Sequence, residues 1–182
     1  MNARAAIVPA DLTEQGLSLL GEVSWHGTPL PGDRGHALLA ALVLQAPRSV
    51  TTHGLIDAVW GEDVPANPAK ALQVLVSRTR AHTSGELVVR AGEGYALGEC
   101  PVDARVLAVA AHSAADAWRG GDAGRTSAAT TPLVGMVLAA DDDNGPLGEV
   151  RREAARRLDR LRTLHGLALS AEGRHRDALE WL

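Results

Sequence analysis

Hydrophobic positions divide the chain into two unlike halves. Residues 17–25, LSLLGEVSW, are short, apolar and partly alternating, and HGTPLPGD after them is rich in turn formers; together they predict small strands joined by tight turns. RGHALLAALVLQA, residues 34–46, is apolar almost all round, the pattern of a helix buried on most faces, and Pro47 stops it. In SVTTHGLIDAVWG a β-like Ser49-Val50 leads to Thr51, which can cap a helix. Leu55, Ile56 and Val59 then form an apolar stripe, and Gly61 is a good C-terminal stop.

The linker EDVPA leads to a further helix, predicted over 68–82, with Asn67 as N-cap and Pro68 at the first helical position, where proline is tolerated. At about 100° per residue, Leu72, Leu75, Val76 and Thr79 share one side. Lys70, Gln73, Val74, Ser77 and Ala81 share the other, with Arg78 and Arg80 on its flanks. ELVVRAGEGYALGE reads as a hairpin, with strands at 87–89 and 95–97 around a glycine-rich turn.

Beyond Pro101 the pattern is helical. VDARVLAVAAHSAADAWRGGDAGR predicts an amphipathic helix ended by Gly120-Gly121, and TSAATTPLVGMVLAAD a weaker one interrupted by Pro132 and Gly135. A polar loop, DDDNGPLG, precedes a long helix with Leu158, Leu161, Leu164, Ala168 and Ala171 at three- and four-residue steps. RHRDALEWL begins another helix, which suggests a piece or a shortened copy of something longer. The expected organisation is a loose extension over 1–14, a mixed domain over 15–99 and a helical domain over 100–182.

Composition narrows the classes. Hydrophobic residues make up 46% and aromatics 3%, with no Phe, so the core must be built from Leu, Val and Ala. The single cysteine, Cys100, excludes a disulfide framework and makes a reducing cytoplasm the simplest setting. The seven histidines show no metal-ligand spacing, and no run of about 18 apolar residues predicts a membrane span. The first fourteen residues lack the pattern of a secretory signal. Net charge is −4, which leaves room only for a local basic face.

In chain order the first half reads strands, helix, short strand, helix, acidic turn, helix, hairpin. That is the layout of a winged helix-turn-helix, whose third helix enters the major groove while the hairpin flanks the backbone. A groove-facing helix must present donors opposite its packing stripe. Lys70 and Gln73 lie there, and Arg78 and Arg80 reach phosphates from the edges. The competing reading is an ordinary solvated helix face.

LPGDRGHALLAALVLQAPRSVTTHGLIDAVWGEDVPANPAKALQVLVSRTRA followed by LVVRAGEGYAL resembles the Streptomyces antibiotic regulatory protein family of transcription activators, with LIDAVWG and ALQVLVSR as the more specific blocks. The resemblance implies a mainly α fold with small β elements: an OmpR-type winged helix followed by a tetratricopeptide-like helical bundle, the bacterial transcriptional activation domain. LGEVRREAARRLDRLRTLHGLALSAEGRHRDAL is the best-matching stretch of that second part. Carried over, the family's mode implies that Lys70, Gln73 and Ser77 face bases of double-stranded DNA. Arg78 and Arg80 would hold phosphates, Thr51 would offer its hydroxyl and backbone N–H to another, and Arg90 on the hairpin would reach the neighbouring backbone. The turn at Glu62 and Asp63 would touch RNA polymerase, or else be a solvated turn; Trp60 and Tyr95 read as packing residues.

This chain departs from the family pattern in places. Gly35 and His36 stand where Arg or Gln is usual, Thr52, Gly54, Ala69 and Ala81 where basic residues are common, and Thr79 where the packing stripe expects leucine. Six basic residues (Arg34, Arg48, Lys70, Arg78, Arg80, Arg90) meet eight acidic ones between Gln15 and Glu99, a net −2. Each missing phosphate contact removes a counterion-release contribution. A two-fold arrangement (a homodimer on a repeated site) or help from polymerase would compensate; otherwise the chain is a protein-interaction module that has lost DNA binding.

Other motifs are weaker. The run Arg151, Arg152, Arg156, Arg157, Arg160, Arg162 could be a second nucleic-acid patch, but Glu153 and Asp159 interleave it as on a solvated helix face. GEGY at 92–95 lacks the lysine and following helix of a phosphate loop. Asp141, Asp142, Asp143 and Asn144 resemble the start of a calcium loop, yet Arg152 stands at its twelfth position. Cys100 and His112 form no recognisable catalytic set, and the sequence predicts neither an enzyme nor a cofactor.

Overall fold

The structure is a computed structural model that describes residues 15–83, 85, 87–140 and 145–182. The expected N-terminal extension and the acidic run at 141–144 lie outside the described residues.

The chain opens with a small antiparallel sheet of β1 (Leu17–Ser18), β2 (Ser24–Trp25) and β3 (Thr28–Pro29). Leu17 pairs with Trp25, and Trp25 in turn with Thr28. The β2–β3 turn puts His26 and Gly27 at φ 47° and 74°, the paired positive values that match a hairpin's twist. Helix α1 (Asp33–Gln45) follows; Asp33 in its first turn suits the positive end of the helix dipole, and Leu38–Leu42 are buried.

Strand β4 (Val50–Thr51) leads directly into α2 (Thr52–Trp60), and α3 spans Pro68–His82. Both helices start on side-chain caps. The Thr51 hydroxyl oxygen accepts from the Gly54 N–H at 3.1 Å, and Asn67 Oδ1 accepts from the Lys70 N–H at 3.1 Å. Gly61, at φ 53°, ends α2 with its N–H on the Asp57 carbonyl.

The wing consists of β5 (Val88–Ala91) and β6 (Gly94–Leu97), with β6 in the centre of a β4-β6-β5 sheet. The first wing strand lies one residue later than the sequence pattern predicts, because Leu87 is spent on the core and ladder pairing begins with Val88 opposite Leu97. Gly94 is required by close approach: a Cβ there would stand 1.8 Å from the Val50 carbonyl oxygen across the β4 ladder.

The second half is helical: α4 (Asp103–Arg119), α5 (Ala123–Thr130), α6 (Pro146–Ala171) and the short α7 (His175–Ala178). The weak helix read over 126–141 is in fact α5, which starts earlier and stops at Thr130. Asp122 caps it by accepting from the Arg125 N–H at 2.8 Å, and Pro132 and Gly135 fall in the non-helical stretch after it. That stretch is held by Arg162, which donates to the Val134 and Met136 carbonyls at 3.1 and 2.7 Å. On α6, Leu158, Leu161, Leu164 and Ala168 are buried as the periodicity requires, while Ala171 at the helix end is exposed.

The two halves share one hydrophobic cluster, which runs from Leu17 through Leu38, Leu72 and Leu107 to Leu161. Helix α6 packs on α1 as well as on α4 and α5. The seam is polar and ordered. The Leu17 N–H donates to the Pro101 carbonyl at 2.9 Å, and Leu17 bridges Val102 in parallel. The Asp103 carboxylate, 1% exposed, accepts from the Ser18 hydroxyl and from the Leu19, Leu20 and Ala104 N–H groups. Burial nevertheless pushes its pKa above the usual carboxylate range, with those hydrogen bonds pulling the other way. From the opposite side Arg151 donates to the Leu19 and Gly21 carbonyls at 3.0 and 2.8 Å. No helix among the described residues is long and apolar enough to cross a membrane.

Candidate nucleic-acid interface

Helix α3 has the two faces its sequence predicts. Leu72, Val76 and Thr79 are buried at 1, 2 and 7% exposure, packed toward α1, α2 and β5. Thr79 tolerates this position because its hydroxyl donates to the Leu75 carbonyl one turn back at 3.0 Å. Lys70, Gln73 and Ser77 are exposed on the opposite face, with Val74 between them at 43% exposure. Leu75 is only half-buried, since it lies at the edge of the stripe rather than its centre.

The flanking arginines differ. Arg78 is exposed. Arg80 is half-buried: its Nε donates to the Val88 carbonyl at 2.7 Å, and its guanidinium carbon lies 5.8 Å from the Tyr95 ring centroid. Arg90, exposed on β5, stands over the same ring at 5.1 Å. Tyr95 thus orders two cations between α3 and the wing, and it is itself 6% exposed, a packing residue as expected. Trp60 is likewise buried, at 7%.

At the other end of the surface, Thr51 is exposed at the N-cap of α2. The next residue, Thr52, donates its hydroxyl to the Glu93 carbonyl at the wing turn, 2.7 Å away, which links the N-terminus of α2 to the wing tip. Glu62 and Asp63 are both exposed in the turn after α2, where the Asp63 N–H closes on the Trp60 carbonyl at 2.9 Å. Sequence reasoning missed two members of this surface. Thr52 shows no signal in one dimension, and Arg34 entered only as a charge; in the fold it lies 5.6 Å from the Trp60 ring, beside Lys70 and Arg78.

Four arginines of the α6 run, Arg151, Arg156, Arg157 and Arg162, make contacts within the chain. Arg151 and Arg162 hold backbone carbonyls, while Arg156 and Arg157 pair with Glu153 and Arg162 also meets Asp159. Cys100 is half-buried, and burial pushes its thiol above the usual value against a weaker pull from Arg105, the opposite of an activated nucleophile. His112 pairs with Asp116 one turn on, at 3.3 Å. Among the described residues no cluster of His, Cys, Asp and Glu is arranged to hold a metal.

A winged helix with this surface, joined to a helical domain, has known relatives. The chain is 33% identical over 143 residues to the regulatory protein AfsR of Streptomyces griseus, covering 76% of this chain and 14% of that protein. It is 37% identical over 98 residues to AfsR of Streptomyces coelicolor, covering 49% of this chain and 10% of that protein. The chain is homologous to the AfsR regulatory proteins. That bears out the resemblance to the Streptomyces antibiotic regulatory protein family, although no family model matches the chain. The chain spans about a seventh or less of the length of these curated relatives. Among solved structures, Mycobacterium tuberculosis EmbR in complex with a low affinity phosphopeptide superposes with a TM-score of 0.67 at 20% identity, over 92% of this chain and 57% of that one. This chain and EmbR share the fold of a winged helix followed by a helical domain.

Proposed function

We propose that this chain is the DNA-reading and activating part of a transcription regulator. In this reading residues 15–99 bind promoter repeats as a winged helix-turn-helix, and 100–182 form the tetratricopeptide-like activation domain. Lys70, Gln73 and Ser77 read base edges in the major groove. Arg78 and Thr51 hold phosphates, as does Arg80 with the guanidinium donors its Val88 bond leaves, and Arg90 contacts the adjacent backbone. Glu62 and Asp63 lie in a turn open to RNA polymerase, and the work is cytoplasmic. The observation that carries the reading is the outward face of α3: an exposed Lys-Gln-Ser row directly behind a stripe buried in the core.

Sequencing of genomic fragments bound by the protein tests it, followed by salt titration on a recovered site. Recovery of a repeated motif, bound with an affinity that falls steeply as salt rises, supports the reading. No enrichment and no duplex binding at low salt overturns it.

The acidic balance of residues 15–99, net −2, favours one second reading. In it the winged half is a protein-interaction platform that no longer holds DNA. The same titration separates the two.

A further inference from the structure

Between the N-terminal turn of α1 and the C-terminal half of α3 lies a cavity of about 500 Å³, within the range of small-molecule sites. Its apolar walls are Leu30, Leu39 and Leu75, and two small residues, Gly35 and Thr79, make the room. A Cβ on Gly35 would meet nothing nearer than the Thr79 hydroxyl at 3.8 Å, so the helices are not in tight contact there. The mouth carries Arg34, Arg78 and His82 against a single acid, Asp33. Among the described residues neither Arg34 nor Arg78 has a carboxylate partner.

A second hollow of about 390 Å³ adjoins it, bordered again by Arg34, Leu75 and Arg78 and also by Trp60 and Lys70. Trp60 is 7% exposed, and its indole N–H is enclosed beneath that surface with no acceptor among the described residues.

We propose that this α1–α3 cleft binds a small amphiphilic monocarboxylate, its acyl or aromatic body against Leu30, Leu39 and Leu75 and its carboxylate between Arg34 and Arg78, and that occupancy weakens DNA binding. The second clause rests on the function proposed above. Arg78 is a phosphate contact in that reading, and a carboxylate bound to it neutralises the cation and removes one counterion-release contribution. The ligand is therefore a negative effector that competes electrostatically while leaving the Gln73–Ser77 face uncovered.

The test is calorimetric titration of the full chain with decanoate and with 2-naphthoate, using neutral 2-naphthamide as the uncharged control. The expected result is binding of at least one acid with a Kd below about 1 mM. The amide, and the Arg34→Ala variant with the acid, should bind at least about tenfold more weakly, a loss in the range of one charge-assisted contact. Thr79→Leu and Gly35→Leu, made separately, fill the cavity and should abolish binding; melting curves identify a variant that folds, and either one suffices. Among the described residues the Thr79 hydroxyl bonds only within its own helix, so its replacement strands no partner there. Failure of both acids to bind, equal binding of the amide, or undiminished binding in a folded cavity-filling variant overturns the site. In a second arm, saturating acid should weaken binding of a duplex at low salt and flatten its salt dependence by about one phosphate contact. Unchanged duplex binding overturns the effector role. Acid binding without any duplex binding sinks the DNA reading and leaves the site standing.

Discussion

Asp103 Oδ2 accepts the hydroxyl of Ser18 at 2.8 Å, although the two residues stand 85 positions apart. The contact belongs to a clamp in which one side of the 19–21 turn offers N–H groups to Asp103 and the other offers carbonyls to Arg151. Every hydrogen-bond partner of that carboxylate is a donor.

Asp103→Asn therefore points an amide NH2 at a group that itself donates. Denaturant unfolding should show a loss of about 2–3 kcal/mol, the range for stranding a buried polar group. Asp103→Glu should also destabilise, through its extra methylene in a closed site. A wild-type midpoint for Asp103→Asn would show that the clamp carries no stability.

Arg78 and Arg80, two residues apart on α3, should behave differently. The Lys70→Ala, Arg78→Ala double variant should keep its melting temperature and lose at least about tenfold in duplex affinity, with the salt slope reduced by about one. Arg80→Ala should lower stability by about 1–2 kcal/mol, because the buried Val88 carbonyl loses a charged donor, and should speed amide exchange across β5. Anisotropy with a labelled duplex and thermal denaturation separate the two effects.

Gly94→Ala should be among the most damaging single-methyl additions. Its Cβ would overlap the Val50 carbonyl, which sits in the ladder and cannot swing away, so a loss of about 3 kcal/mol or more is expected. Gly92→Ala, with open space around it but φ at 55°, should cost only about 1 kcal/mol. Comparison of the two by urea unfolding distinguishes steric overlap from backbone strain.

His165 gives the helical half a pH dependence. It is 7% exposed, shares a 2.7 Å hydrogen bond with the Thr130 hydroxyl and meets the Trp181 ring edge-on. Burial first, then the Arg174 charge, hold its imidazole below the usual value, against a weaker pull from Glu172. The unfolded chain then takes up this proton more readily than the folded one. This contribution to stability is complete above about pH 6.5, declines as pH falls toward the folded value and is constant below it. His165→Gln should flatten that part of a urea-midpoint series against pH; an unchanged profile would assign the dependence to other groups.

The helix bounds of α3 were legible in the sequence because cap, proline and stripe agree: Asn67, Pro68 and the Leu72–Val76–Thr79 spacing all specify one register. The exposed face followed from the same periodicity. Arg80 shows where this reading stops, since 100° per residue places it on an edge but does not reveal that β5 offers the Val88 carbonyl there. Asp103 and Arg151 were illegible for the same reason: each reaches backbone groups of a turn more than 80 residues away. The α1–α3 cavity depends on Gly35 and Thr79 facing each other across two helices, a pairing that neither local pattern contains.

The gripped 19–21 turn and the α1–α6 packing tie the two lobes to each other in one arrangement. If α3 reads DNA as proposed above, the helical lobe would occupy a fixed azimuth on the duplex, determined by where α3 docks. Shifting the docking site along a promoter by about 5 base pairs would carry that lobe to the far side of the double helix, and about 10 would bring it back. Transcription driven by such a rigid bracket should rise and fall with helical phase, whereas a flexibly tethered activator would show only a gradual dependence on distance.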